Sequence, residues 1–253
     1  MTSTPAYISE RIKRPVPTGC SVIPGSTPVI SFGNAETAKI ATLGLNPSRQ
    51  EFATADGTWL VDANRRLATY EQLGISNLEN ATEELVTFIV NDCYNYFHLN
   101  PYMRWFKDLE SLLIHGTDTS YFEGTACHLD LVQWATEPVW QRLSEDVKAK
   151  LIEDDRDFLM EQLKNEGIKL VLLNGRSVIN QVQNMGVQLF KKAPETLGKL
   201  KSDILTGVHA NATYIGWSTN LQSSFGITNE FKLALAQRVK LELTRNNVNL
   251  MDS

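Results

Sequence analysis

Neutral amides and hydroxyls, with a single carboxylate, stand where four short apolar runs of this chain end. Asn46-Pro47-Ser48 follows the first run, and Asp130 lies near the end of the second. Asn174-Gly175 closes the third, and Ser218-Thr219-Asn220-Leu221-Gln222-Ser223-Ser224 follows the fourth. Amides and hydroxyls orient and hydrogen-bond a polar ligand, but they do not exchange protons near neutral pH. Neither a GxGxxG turn nor a phosphate-cradling P-loop is present. Gly175-Arg176-Ser177 lacks the second glycine of a nucleophile elbow. His98, His115, His128 and His209 are scattered, and the one adjacent pair, Cys127-His128, would point to opposite faces of a strand. No nucleophilic triad or metal-ligand spacing emerges, so structural roles are expected for these residues, with neither metal nor organic cofactor.

The polar rim needs elements to hold it. Residues 39–48 and 125–132 read as buried strands because they are apolar on both faces. Ile168–Gly175 is the clearest strand and Ala212–Trp217 the fourth. Helices are expected over 58–74, over 79–115 with a break at Asn100-Pro101, over 144–165, from Ser177, and over about 228–245. The proline-rich residues 1–38 lack helical periodicity and read as an arm packed on the domain, with a short strand at Pro28–Phe32. Strands alternating with helices predict an α/β fold: three α/β/α layers around a four-stranded parallel sheet, one domain over 39–253. In such sheets ligands bind beyond the carboxyl ends of the strands, where the polar rim lies.

Composition narrows the function classes. The chain has 253 residues and a net charge of −5, with 42% hydrophobic and 21% charged residues. These are globular values. No stretch reaches the roughly 18 apolar residues of a membrane span, and the first 20 residues carry no apolar core. Three cysteines without CxxC spacing exclude a disulfide framework. A soluble, cytoplasmic monomer without a membrane partner is expected. The acidity argues against a tight nucleic-acid coat protein, but local basic patches remain: Arg11, Lys13 and Arg14; Arg65 and Arg66; Lys191, Lys192, Lys199 and Lys201.

Gly44-Leu45-Asn46-Pro47-Ser48 resembles the first active-site motif of the uracil-DNA glycosylase superfamily, and is most similar to its mismatch-specific and single-strand-selective branches. Leu129–Thr136 resembles the second-strand segment of the mismatch-specific branch. Leu170–Gly175 resembles the third strand, and Ser218–Ser223 stands where the family carries a His-Pro-Ser or Asn-Pro-Ser loop. The collinear match spans about residues 38–240.

The resemblance implies a uracil-DNA glycosylase-like fold and cleavage of an N-glycosidic bond on a base flipped out of DNA, single- or double-stranded, bound with weak to moderate affinity. It gives catalytic roles to Asn46, which would orient the attacking water, and to Asn220, which would hydrogen-bond the departing base. Asp130, Phe52 and Leu45 would bind the base; Ser48, Arg49, Ser223 and Ser224 would meet the backbone. The residues alone also allow Asn46 to cap a turn, Asn220 to cap a helix, and Asp130 to be buried on backbone amides. Phe52, Trp59, Tyr102, Trp105 and Phe106 are aromatics for stacking or for the core. Two departures stand out. Leu221-Gln222 replaces the family's Pro-Ser, and Asp130 replaces an amide, so uracil specificity does not follow: an ionised carboxylate only accepts. Two alternatives remain: a superfamily member without catalysis that binds a nucleobase or nucleic acid, and an unrelated hydrolase or nucleotide-processing enzyme on a similar sheet.

Overall fold

The computed structural model describes residues 4–164, 167–192, 195–223, 226–248 and 250. Along the chain run α1 (Ala6–Ile12), β1 (Ile40–Gly44), α2 (Tyr70–Leu73), α3 (Glu83–Tyr94), α4 (Met103–Thr117), β2 (Ala126–Asp130) and α5 (Glu145–Leu163). Then follow β3 (Leu170–Asn174), α6 (Arg176–Asn184), β4 (Phe190–Lys191), β5 (Glu195–Leu197), β6 (Leu200–Ser202), β7 (Ile204–His209), β8 (Ala212–Trp217) and α7 (Asn229–Arg245). The chain divides into two compact units, one of residues 1–34, 45–102 and 129–162, the other of residues 35–44, 103–128 and 163–253. The division does not fall at residue 38.

The second unit is built on a mostly parallel sheet in the order β2-β1-β3-β8-β7-β4. β1 pairs parallel to β3 with Ile40 opposite Leu170, and β3 pairs parallel to β8 with Leu170 opposite Thr213. Every residue of β1, β2, β3 and β8 is buried, as strands covered on both faces must be. These are the four expected strands. The sheet is wider than expected because β7 adds antiparallel to β8, and the two-residue β4 antiparallel to β7. β5 and β6 form a separate hairpin. α4 and α7 approach closely at Gly116, where a Cβ would stand 3.2 Å from the Ala236 carbonyl oxygen. Thr228 caps α7, its hydroxyl accepting from Phe231 N. Inside this unit Thr42 Oγ1 lies 2.7 Å from His128 Nδ1 and 2.5 Å from the Tyr121 hydroxyl, a buried polar chain that gives His128 its structural role.

The first unit contains the main departures from expectation. Residues 6–12 are helical because Ile8, Arg11 and Ile12 share one buried face. Pro28–Phe32 forms no strand; Val29 N bonds the Gln133 carbonyl instead. The helix expected over 58–74 is reduced to a short turn at Asp62–Asn64 and to α2, which ends in left-handed Gly74. Tertiary hydrogen bonds hold this segment open: Arg65 pairs with Asp92, and Arg66 donates to the carbonyls of Asn100 and Gln50.

The deepest feature of this unit is an ion pair. Arg11 and Asp155 are both fully buried, 2.6 Å apart. Arg11 Nε donates to Gln133 Oε1 (3.2 Å), and Asp155 Oδ2 accepts from Gln133 N (2.7 Å). Burial lowers the Arg11 pKa and raises that of Asp155, each opposed by the other's charge. Arg11 is thus no part of a basic surface. Lys13 is likewise paired with Glu83, and Lys191 with Asp203. Among the described residues no helix is long and apolar enough to cross a membrane.

Removing one member of a buried pair strands the other's charge. Asp155→Ala is expected to lower unfolding free energy by about 3–5 kcal/mol, read as a shift of the urea midpoint.

Candidate functional site

In the first unit the segment after β1 lies along residues 130–136. Val132 N donates to the Leu45 carbonyl (3.0 Å). Half-buried Asn46 donates from Nδ2 to the Trp134 carbonyl (3.2 Å) and to Thr136 Oγ1 (3.1 Å). Both amide hydrogens are committed, and among the described residues no donor reaches Oδ1. The side chain therefore presents a carbonyl oxygen in a fixed direction. Exposed Ser48 caps the short turn Arg49–Glu51, its hydroxyl accepting from Gln50 N. Arg49 NH1 is paired with Glu137 at 2.6 Å, so its charge is already balanced. Phe52 is 1% exposed and belongs to the core; Leu45 is partly exposed. Asp130 is 5% exposed at the end of β2, and its backbone carbonyl accepts from Gln133 Nε2 (2.9 Å). Gln133 thereby links Asp130 to the Arg11–Asp155 pair.

Glu51 is a titratable group that sequence reasoning did not single out. It is 2% exposed, and its Oε2 accepts a 2.5 Å hydrogen bond from the Tyr96 hydroxyl. Burial pushes the carboxyl up to about 8; the Tyr96 hydrogen bond and Arg66 pull it down, and Asp130 adds to the rise. Glu51 therefore holds its proton at neutral pH.

In the second unit a distinct amide cluster forms at the end of β3. Asn174 Oδ1 accepts from Trp217 Nε1 and from Leu221 N, both at 3.0 Å. Its Nδ2 donates to Asn220 Oδ1 (3.2 Å) and to Gln222 Oε1. Asn220 Oδ1 also accepts from Gln222 N (2.8 Å). The exposed Asn220 thus commits its carbonyl, and among the described residues its amide hydrogens have no acceptor. Gly175 sits at φ +98°, and a Cβ there would lie 3.2 Å from Asn220 Cβ, so only glycine fits beneath this loop. Gln222 Nε2 donates to the Trp105 carbonyl (3.2 Å). Ser223 is exposed, and its N–H bonds the Asn220 carbonyl. Ser224 lies outside the described residues.

The expected residues fall into these two clusters. Asn46, Ser48, Arg49, Asp130, Leu45 and Phe52 belong to the first unit, Asn220 and Ser223 to the second. Glu51 and Tyr96 are added by the structure, which also gives Thr136, Asn174 and Gln222 their bonding roles. Asn174 had a visible signal, a polar residue ending a buried apolar run; Glu51, between Gln50 and Phe52, had none. Cys93 and Cys127 are buried, with thiols pushed up to about 12, so they are unreactive. Among the described residues no three His, Cys, Asp or Glu side chains converge as metal ligands. No protein-family model matches the chain, and no curated protein matches it.

Two outcomes follow. Asn174→Ala leaves the Trp217 indole and Leu221 N–H groups without their acceptor, at a cost of about 1–3 kcal/mol for each group; faster amide exchange at Leu221 checks it. Glu51 binds its proton more tightly folded than unfolded. Its contribution is therefore full below the ordinary value of 4.5 and is lost as pH rises to about 8. Stability should fall by up to about 5 kcal/mol across that window relative to Glu51→Gln, measured by urea unfolding at pH 5 and 8.

Proposed function

We propose that this chain is a DNA glycosylase-like hydrolase acting on a damaged or non-standard base flipped out of its stack. The observation that carries the reading is the fixed carboxamide of Asn46. Held by the Trp134 carbonyl and Thr136, it presents an acceptor to whatever lies before it. A water bonded to that oxygen has one hydrogen directed and a lone pair available for the sugar carbon. An amide cannot remove the proton, so its contribution is positioning. The ordered motifs from Asn46 to Ser223 add the family resemblance.

In this reaction positive charge grows on the sugar and negative charge on the base. Asn220 has the polarity that the second charge requires: its carbonyl is bonded within its own loop, which leaves its amide nitrogen the donor side of the carboxamide. A carboxylate at position 130 accepts hydrogen bonds only, which favours a base edge carrying an amino group over uracil. The reaction needs no organic cofactor for its electron flow.

A second reading is favoured by Arg49. Its charge is balanced by Glu137, and the chain as a whole is acidic, both unfavourable to phosphate contact. On that reading the chain binds a nucleobase or nucleic acid and does not cleave.

The test incubates the protein with single- and double-stranded oligonucleotides carrying uracil, hypoxanthine, xanthine or mismatched thymine, and scores abasic sites by alkaline cleavage. Release of at least one base, lowered about 10²-fold or more by Asn46→Ala, is the expected outcome. No release with retained DNA binding would replace the glycosylase by the binding module, and failure of both would end the nucleic-acid reading.

A further inference from the structure

Cleavage and binding of a nucleic acid both need a grip on phosphate, and Arg49, paired with Glu137, offers little charge for one. Positive charge is concentrated elsewhere. Residues 175–209 carry five basic and two acidic side chains, a net of +3, in a chain whose net charge is −5. Among them Asp203 is shared: its Oδ2 accepts from Arg176 Nη2, and its Oδ1 lies 2.9 Å from Lys191 Nζ. Hydrogen bonds from Lys191 and Arg176 hold the Asp203 carboxyl below its ordinary value, so it is ionised at neutral pH. One carboxylate between two cations leaves one positive charge uncancelled. The Arg176 and Lys191 side chains are 48% and 52% exposed, so that charge faces solvent. Among the described residues only Nη2 of the Arg176 guanidinium has an acceptor.

The cluster lies within the second unit and is tied by its backbone to the Asn220 loop. Arg176 N donates to the Ser218 carbonyl (3.2 Å) and Ser218 N to the Asp203 carbonyl (3.0 Å), while Ser218 Oγ accepts from Asp203 N (2.9 Å). Asn220 stands two residues beyond Ser218, and Gly175, which precedes Arg176, packs beneath it. The uncancelled charge is therefore at the same end of β3 and β8 as the amide cluster, where open α/β sheets hold ligands.

We propose that Arg176 and Lys191, bridged by Asp203, bind a backbone phosphate of the nucleic-acid strand presented to the Asn220 loop. This rests on the nucleic-acid reading, in its cleaving or its binding form, and supplies the phosphate contact for which Arg49 is already neutralised. A guanidinium directs paired N–H groups at phosphate oxygens, and an ammonium adds a point charge beside it. Half-exposed cations release their counterions when a phosphate replaces them, which makes the contact favourable and salt-dependent. Such contacts carry no sequence information, so they hold the strand whatever base it bears.

The experiment measures binding of fluorescein-labelled single- and double-stranded oligonucleotides by anisotropy over a series of salt concentrations, beside base release from the panel above. The proteins are wild type, Arg176→Gln, Lys191→Gln, the double variant, Asp203→Asn, and Lys148→Gln on α5 as a charge control, each checked for folding by circular dichroism. The slope of log affinity against log salt should shrink by about 0.7 on single strands and about 0.9 on duplex for each of the two charges removed. The loss should be the same for every sequence. Asp203→Asn releases both cations from their carboxylate and should tighten binding, an outcome that local unfolding does not produce. Lys148→Gln should keep the wild-type slope. A double variant that keeps the wild-type slope, or an Asp203→Asn that binds more weakly, overturns the proposal, and base release by wild type then leaves the glycosylase standing. No release, with slopes that shrink as stated, supports the phosphate site on the binding module. A wild type that binds no oligonucleotide overturns the site together with the nucleic-acid reading.

Discussion

A guanidinium that is fully removed from water must be neutralised and hydrogen-bonded where it lies, and in the first unit this requirement organises the candidate site. Asp155 supplies the opposite charge to Arg11, and Arg11 Nε and Asp155 Oδ2 each bond Gln133. Gln133 then turns its amide nitrogen to the Asp130 carbonyl. The Arg11 guanidinium also lies 5.0 Å from the Trp134 ring centroid, and the Trp134 carbonyl is one of the two acceptors that orient Asn46. The positions of Asp130 and Asn46 therefore both trace to a buried charge on a seven-residue helix near the start of the chain. Neither Asp130 nor Asn46 touches that charge. Its influence passes through backbone groups of residues 130–136, which it fixes at their side.

The two asparagines illustrate how protein partners decide what a carboxamide offers. A free amide is both donor and acceptor. Asn46 is bonded through its nitrogen and so becomes an acceptor; Asn220 is bonded through its oxygen and so becomes a donor. For Asn220 the selection is made by Asn174, whose own oxygen is taken by Trp217 and Leu221. Asn174 thus works as a junction between the end of β3 and the loop after β8. The loop after β8 is held at Leu221-Gln222, because Leu221 is buried and Gln222 bonds both Asn174 and the Trp105 carbonyl.

The parts of the fold legible in the sequence are those whose burial is continuous. β1, β2, β3 and β8 are enclosed on both faces, so they appear as largely apolar runs, β2 interrupted by His128 and closed by Asp130, and α3 to α7 carry apolar residues at helical spacing. Residues 187–209 were not legible because their strands are short and partly exposed: β4 has two residues, and Phe190 is 65% exposed. The segment 58–74 misled because its composition permits a helix, whereas its arginines bond Asp92, Asn100 and Gln50 from elsewhere in the chain. Within the candidate site, residue types were legible but pairings were not. Arg49 and Glu137, or Arg11 and Asp155, are far apart in sequence, and nothing local distinguishes a paired arginine from a solvated one. Arg11 stands in the run Glu10-Arg11-Ile12-Lys13-Arg14, which reads as surface charge until Ile8 and Ile12 place it inside.

Arg11, Asp155 and Glu51 pose one physical problem, a charge withdrawn from water, and it is solved in two ways. In the pair the charges cancel. Each partner's field opposes the desolvation of the other, and the result is electrostatically quiet and structurally rigid. Glu51 has no such partner: Arg66 is spent on backbone carbonyls, Asp130 repels, and Tyr96 supplies only a hydrogen bond. Its remaining course is to keep the proton, and that leaves it responsive to pH in a range where an ordinary carboxyl is not. An apolar side chain at position 51 would avoid the cost of burying an acid, but it would leave the Tyr96 hydroxyl without its acceptor and Tyr102 N with a partner less firmly held. The acid therefore joins two properties that seldom coincide, a fixed place in a hydrogen-bonded frame and a proton that can leave.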